Sequence, residues 1–193
     1  MFWTMRCYER AVECGVKMYV HGNIDFYYKL SGYDPAHRCG HADGKGRVWG
    51  WISAKGKEDT EVRWKGKTVV AAFTTGPYMD MALAAGTPVS PRIERGDEEG
   101  EEVVTWRVPL GEDGAIAHTV LDDCGFYVRW LFDHVEEVDG MNLELGMEHV
   151  HYRDVARAFE KVTGRRARFV DVGLEEYFSK GGFASIADSP TGT

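Results

Sequence analysis

His41 and Lys45, four residues apart in His41-Ala-Asp-Gly-Lys45, are the pairing in this sequence best suited to moving a proton and holding a polar ligand. On a helix that starts near Gly40 the two side chains point the same way. An imidazole titrates near neutrality, which suits proton transfer. A lysine beside it is able to hold ribose hydroxyls and a phosphate-bearing cofactor. The same spacing also describes a loop histidine next to a solvated lysine. The helix dipole favours the ligand-binding reading, because a cation at a helix N-terminus is poorly placed for stability.

A second candidate is Gly76-Pro77-Tyr78-Met79-Asp80, where proline makes a rigid strand end and Tyr78 projects from the sheet edge. The alternative is a strand-to-loop turn with a packed tyrosine. Asp122-Asp123 resembles a carboxylate pair, but adjacent residues point apart, so helix capping is its reading. His149 and His151 offer two imidazoles on one strand face without a third ligand nearby, so no metal site is expected. Arg165, Arg166 and Arg168 follow a helix C-terminus, where cations are favoured structurally. Neither GxGxxG nor GxSxG occurs.

The elements that must position these residues alternate along the chain. A helix through residues 8–14 stops at Gly15, a strand covers 16–20 and His21-Gly22-Asn23 ends it. A loop follows, then a helix over about 44–54 with Asp43 as N-cap and Val48, Trp51 and Ile52 on its apolar side. Residues 55–67 are polar. The run 68–74 is almost wholly apolar, as in a strand buried on both faces of a parallel sheet. A short helix over 79–85 ends at Gly86, and 97–102 reads as a solvated acidic loop. Strands are expected at 103–108, 115–121, 141–145 and 167–172. One helix after Asp123 carries Val128, Leu131, Phe132 and Val135, and another over 153–163 carries Val155, Ala158, Phe159 and Val162. From Ser179 the sequence reads as a frayed tail. The class is α/β with a mostly parallel sheet, whose ligands sit at the carboxyl ends of the strands.

The 193 residues hold 23 Lys+Arg and 31 Asp+Glu, a net charge of −8. Residues 1–95 carry +4 and the remainder −12, so the second half repels phosphate backbones and nucleic-acid binding is not expected. No apolar run spans a membrane and no secretory signal is read at the start. Cys7, Cys14, Cys39 and Cys124 form no CxxC pair and read as free thiols of a reducing compartment, hence a cytoplasmic location or a nuclear one.

The segments RCGHADGKGRVWGWI and FTTGPYMDMAL, with YERAVECGVKMYVHGNIDFYYKLSGYDP before them, resemble the NmrA-like family of atypical short-chain dehydrogenase/reductase proteins of the fungal type. VPLGEDGAIAHTVLDDCGFYVRWLFDHVEEVDGMNLEL and DVARAFEKVTGRRARFV extend the resemblance to about Phe178. It implies a Rossmann domain with a smaller C-terminal lobe for substrate or partner, binding NADP or NAD. Lys45 falls on the family's cofactor lysine, and Gly22 and Asn23 on the segment that passes the nicotinamide ribose. Gly76, Pro77, Tyr78, Met79, Asp80 and Met81 fall on the nicotinamide-side segment. His41 stands where the Tyr-x-x-x-Lys pair has its tyrosine, so the phenol that protonates a carbonyl is absent.

Against that pattern the chain begins inside a later helix, without the opening strand and Gly-rich loop. The expected division is a partial dinucleotide-binding portion over 1–86, the remaining strands and a lobe over 87–178, and a tail over 179–193. Strands missing from the middle of the sheet would turn the neighbourhood of Val16–Val20 into an edge prone to pair with a second copy. Three readings follow. The chain is an NADP-dependent oxidoreductase on a small hydrophobic substrate, a non-catalytic NAD(P) sensor that binds a protein partner, or a truncated paralogue with little nucleotide affinity.

Overall fold

A computed structural model describes residues 1–58, 68–146 and 148–179. They form helices α1 (Phe2–Glu13), α2 (Tyr27–Leu30), α3 (Gly40–Glu58), α4 (Leu121–Asp133), α5 (Tyr152–Thr163) and α6 (Leu174–Ser179). The strands are β1 (Met18–Asn23), β2 (Val69–Thr75), β3 (Arg92–Arg95), β4 (Glu102–Val108), β5 (Ala115–His118), β6 (Asn142–Leu145), β7 (Glu148–His151) and β8 (Ala167–Asp171). The chain divides into two compact units, one of Met1–Gly76 with Asp122–Leu145 and one of Pro77–Leu121 with Gly146–Thr193. The break falls after Gly76, not Gly86, and the chain re-enters the first unit because β6 pairs with β2.

In the first unit the sheet runs β1-β2-β6, all parallel. Strand pleating puts alternate residues on opposite faces. Met18, Ala71, Phe73 and Leu145 pack with Leu131 of α4 and with Val138. The opposite face carries Val70, against Tyr8 of α1 and Val48 and Ile52 of α3. Helices thus cover both faces, and β2 is buried along nearly its whole length, as its apolar run predicts. β1 has one strand neighbour among the described residues. Gly46 of α3 leaves room for Phe26, whose Cβ would lie 2.5 Å from a Cβ at that position.

The second unit holds a mixed sheet, β3-β4-β8, and an antiparallel pair, β5-β7. Trp106 is fully buried, packed with Val104, Val108, Tyr152 and Ala156. Its indole N–H donates to the Ala82 carbonyl at 2.7 Å. Glu94 on β3 joins Arg107 on β4 and Arg168 on β8, and the paired Arg107 guanidinium holds its carboxyl below the usual range.

Several sequence expectations change. β1 continues through His21, Gly22 and Asn23 instead of ending before them, because pairing with β2 runs to Thr74. α3 starts at Gly40, so Asp43 lies within its first turn and is not the N-cap. The same holds for Asp122 and Asp123 in α4. The 79–85 helix is a single 3-10 turn, Met79–Ala82, and β5 stops at His118. The buried face of α5 is Tyr152, Val155, Ala156 and Phe159, while Val162 is 84% exposed. Phe132 of α4 is half exposed. The acidic loop is tied down at Glu101, which pairs with Arg166 at 3.0 Å. Gly164 ends α5 in the left-handed conformation at φ +69°, as expected. β3, α2 and α6 are additional, with Ser179 the last residue of α6. Most of the polar 55–67 stretch and the tail beyond Ser179 lie outside the described residues.

Candidate functional site

The carboxyl end of the parallel sheet concentrates buried polar groups that its apolar centre lacks. Asn23, the last residue of β1, is 6% exposed and stands in register with Thr74 of β2. Asn23 Nδ2 donates to Thr74 Oγ1 at 2.8 Å. Thr74 Oγ1 donates in turn to Asn142 Oδ1 at 2.5 Å, and Asn142 Nδ2 donates to Glu144 Oε1 at 2.8 Å. Four side chains from three parallel strands thus form one array. Asn23 Oδ1 closes it with no hydrogen-bond partner among the described residues.

Two residues before Asn23, His21 is also buried. Its Nε2 lies 3.2 Å from the Lys45 carbonyl, so Nε2 carries the hydrogen, and its ring lies parallel to Trp49. Burial depresses its pKa, the Lys45 carbonyl opposes this, and the Lys45 ammonium adds to the depression. Along α3, Asp43 is 7% exposed, with Oδ2 accepting the Cys39 N–H at 3.2 Å. Its Oδ1 also lacks a partner among the described residues. Native structures leave few such groups unpaired, because each costs about 1–3 kcal/mol.

His41 and Lys45 lie one turn apart on α3, both exposed, on either side of the buried Asp43. Cys39 Sγ is 3.6 Å from His41 Nδ1. Gly22 is exposed, with open space where a side chain would stand. The Gly76 N–H donates to the Leu145 carbonyl at 3.2 Å and extends the sheet.

Pro77, Tyr78, Met79, Asp80 and Met81 belong to the second unit. There the Thr119 N–H donates to Pro77 O and the Met79 N–H to Thr119 O, each at 2.9 Å. His118, 1% exposed, lies 3.1 Å from Pro77 O through Nδ1 and 3.1 Å from the Tyr152 hydroxyl through Nε2. The carbonyl requires the hydrogen on Nδ1, so the Tyr152 hydroxyl donates to Nε2. Burial raises the Tyr152 pKa well above the usual phenol range. Tyr78 itself is 38% exposed.

Sequence reasoning passed over Thr74, Asn142, Glu144, His118 and Tyr152. Polar residues at alternate positions near the ends of apolar strands were the available signal. His149 and His151 are both exposed on β7. Among the described residues no group of three or more His, Cys, Asp or Glu is placed to hold a metal, and no helix is long and apolar enough to cross a membrane.

A parallel sheet with helices on both faces and polar side chains at its carboxyl end defines a Rossmann-like protein. The model of the NmrA-like family matches residues 11–187, and the chain belongs to that family. It is 27% identical over 118 residues to an NmrA-like family domain-containing oxidoreductase, lnbB, of Aspergillus flavus, covering 58% of this chain and 33% of that protein. Among solved structures it is similar to NmrA, a negative transcriptional regulator crystallised with NAD, at TM-score 0.58 and 19% identity. That match covers 87% of this chain and 46% of NmrA. A nucleoside-diphosphate-sugar epimerase from Staphylococcus aureus matches at TM-score 0.55 and 15% identity, over 95% of this chain and 53% of the epimerase. The chain therefore spans about a third to a half of the length of these relatives.

Proposed function

We propose that the chain binds a nicotinamide dinucleotide at the carboxyl end of its parallel sheet, NADP with NAD as the alternative, and serves oxidoreductase chemistry on a small hydrophobic substrate. The observation that carries this reading is the pair of buried, unpartnered acceptors, Asn23 Oδ1 and Asp43 Oδ1. They fit a ligand rich in hydroxyl and amide donors, as the ribose and carboxamide of such a nucleotide are. The relatives support it: one is named an oxidoreductase and another was crystallised with NAD.

When bound, the nicotinamide supplies or accepts the hydride. Lys45 holds ribose hydroxyls through its ammonium, and Asn23 orients a donor of the ligand. His41 holds and moves a proton at its imidazole, with Cys39 Sγ beside it. Tyr78 to Met81, the segment that the family resemblance puts on the nicotinamide side, are held within the second unit by the Thr119 and His118 contacts to Pro77.

The second reading is a nucleotide sensor without turnover. It is favoured by histidine at position 41 in place of the phenol of the Tyr-x-x-x-Lys pair, and by the regulator among the relatives. In that reading the acidic second half meets a protein partner. The free thiols support a cytoplasmic or nuclear setting. That β1 has one strand neighbour among the described residues supports pairing with a second copy, and a monomer in sedimentation at tens of micromolar would count against that.

The deciding experiment is an NADPH titration followed by tryptophan fluorescence and calorimetry. Saturable micromolar binding that Lys45→Ala weakens about tenfold or more is expected. Equal binding by both chains would remove Lys45 from the site, and no binding up to millimolar nucleotide would overturn the reading. NADPH consumption with carbonyl substrates then separates enzyme from sensor.

A further inference from the structure

We infer that Glu144 sets the direction of the side-chain array ending on Asn23, making Asn23 Oδ1 a specificity-determining acceptor for a neutral hydroxyl or amide N–H donor of the bound ligand. The identity of that ligand rests on the nucleotide reading; the direction of the array does not.

One member of the array, Glu144, cannot choose between donating and accepting. An ionised carboxylate accepts hydrogen bonds and donates none, whereas a hydroxyl does both and an amide has one end of each kind. Glu144 Oε1 lies 2.8 Å from the Asn142 amide, so Asn142 must present Nδ2 to it. The other end of that amide, Oδ1, then faces Thr74, and the Thr74 hydroxyl must donate to it. With its hydrogen committed, Thr74 Oγ1 accepts from Asn23, which must present Nδ2. The acceptor end of Asn23, Oδ1, is then turned away from Thr74, buried and without a partner among the described residues. Amide orientation is a matter of network logic, and here a carboxylate three hydrogen bonds away decides it.

Two consequences follow for the ligand. A hydrogen-bond chain that terminates on a negative charge polarises its members in one sense, which strengthens Asn23 Oδ1 as an acceptor. The same polarity makes Asn23 Oδ1 an unfavourable neighbour for a phosphate or carboxylate, which brings no hydrogen to an acceptor. The group taken here is therefore neutral and donor-bearing. In a nicotinamide dinucleotide that means the carboxamide N–H or a ribose hydroxyl.

Glu144→Gln is the test, since Glu144 is exposed and its amide isostere leaves the packing unchanged. Glutamine either donates or accepts, so the array loses its fixed direction. In the 193-residue chain, affinity for NADP is expected to fall about three- to tenfold in Glu144→Gln, the worth of one hydrogen bond. Thr74→Val should do the same and Thr74→Ser should not. The 3-acetylpyridine analogue of NADP, which lacks the amide N–H, separates the two donors. If the carboxamide is the donor, the analogue binds more weakly to the wild type and loses nothing further in Glu144→Gln. If a ribose hydroxyl is the donor, both nucleotides weaken alike.

A nucleotide-free readout runs beside it. The Asn23 side-chain amide protons, followed by 15N-resolved NMR, should include one proton shifted by its bond to Thr74 and slow to exchange. In Glu144→Gln that signal should double or lose its shift. Unchanged NADP affinity in Glu144→Gln overturns the inference and leaves the nucleotide reading standing. If neither chain binds a dinucleotide, the nucleotide reading falls and NMR decides. An unmoved Asn23 amide pair then overturns the inference, and a moved one upholds it.

Discussion

The two units treat their polar groups in opposite ways. In the second unit the charged and polar side chains cross-link strands and find partners. Glu94 serves Arg107 and Arg168, the Trp106 indole serves the Ala82 carbonyl, and His118 is bonded at both ring nitrogens. In a cavity of about 510 Å³, lined by Glu112, Arg153, Arg157, Arg168 and Asp171, the three arginines and Asp171 are engaged. Arg157 pairs with Asp154, Arg153 with the Glu112 carbonyl, and Asp171 with the Gly111 N–H. In the first unit two nearly buried oxygens, on Asn23 and Asp43, have no partner among the described residues. A satisfied polar network stabilises a fold, whereas an unsatisfied one carries a cost that a ligand can offset. The contrast separates a unit whose buried polar groups are paired from a sheet end that leaves two acceptors unpaired among the described residues.

The contrast breaks most visibly through the core of the second unit. Trp106→Ala removes a fully buried ring and leaves the Ala82 carbonyl unpaired, so a loss of about 3–5 kcal/mol is expected in urea unfolding. A loss below about 1 kcal/mol would show that this core is not what holds the unit.

Acid provides the finer test, because the two units lose stability in different windows. Glu94 has a folded pKa below its ordinary 4.5, chiefly through its hydrogen bond to Arg107. Its contribution is present above that value and lost as pH falls through the folded pKa. His21 is a base whose folded pKa is depressed by burial below its ordinary 6.5. The unfolded chain binds the proton first, so stability falls as pH drops below about 6.5 and levels off below the folded pKa. Unfolding followed from pH 7 to 3 should show both regions. His21→Gln should flatten the upper one alone and Glu94→Gln the lower one alone. An unchanged upper slope in His21→Gln would mean that His21 is not held neutral by its burial.

Much of this was legible in the residues. The apolar run of β2, the stop at Gly164 and the i, i+4 spacing of His41 and Lys45 are local properties, and local sequence states them. The face of α5 was misread because Val162 continues the helical period yet meets no core, whereas Tyr152 and Ala156 do. Asp43, read as a cap, is drawn inside the first turn because α3 begins earlier, at Gly40. β3 escaped notice because it is four residues long, largely polar and exposed.

What the sequence by itself determined is the class: alternating elements, an apolar centre to the sheet, polar residues at its carboxyl end and membership of the NmrA-like family. The joining of Asn23, Thr74, Asn142 and Glu144 was decided by tertiary structure alone. Those residues lie 51 and 68 positions apart at two of the array's links, and only parallel pairing of β1, β2 and β6 puts their side chains on one face. Hydrophobic periodicity states which side of a strand is buried, but register across strands depends on how the sheet assembles, and register decided which oxygen of the array was left unpaired.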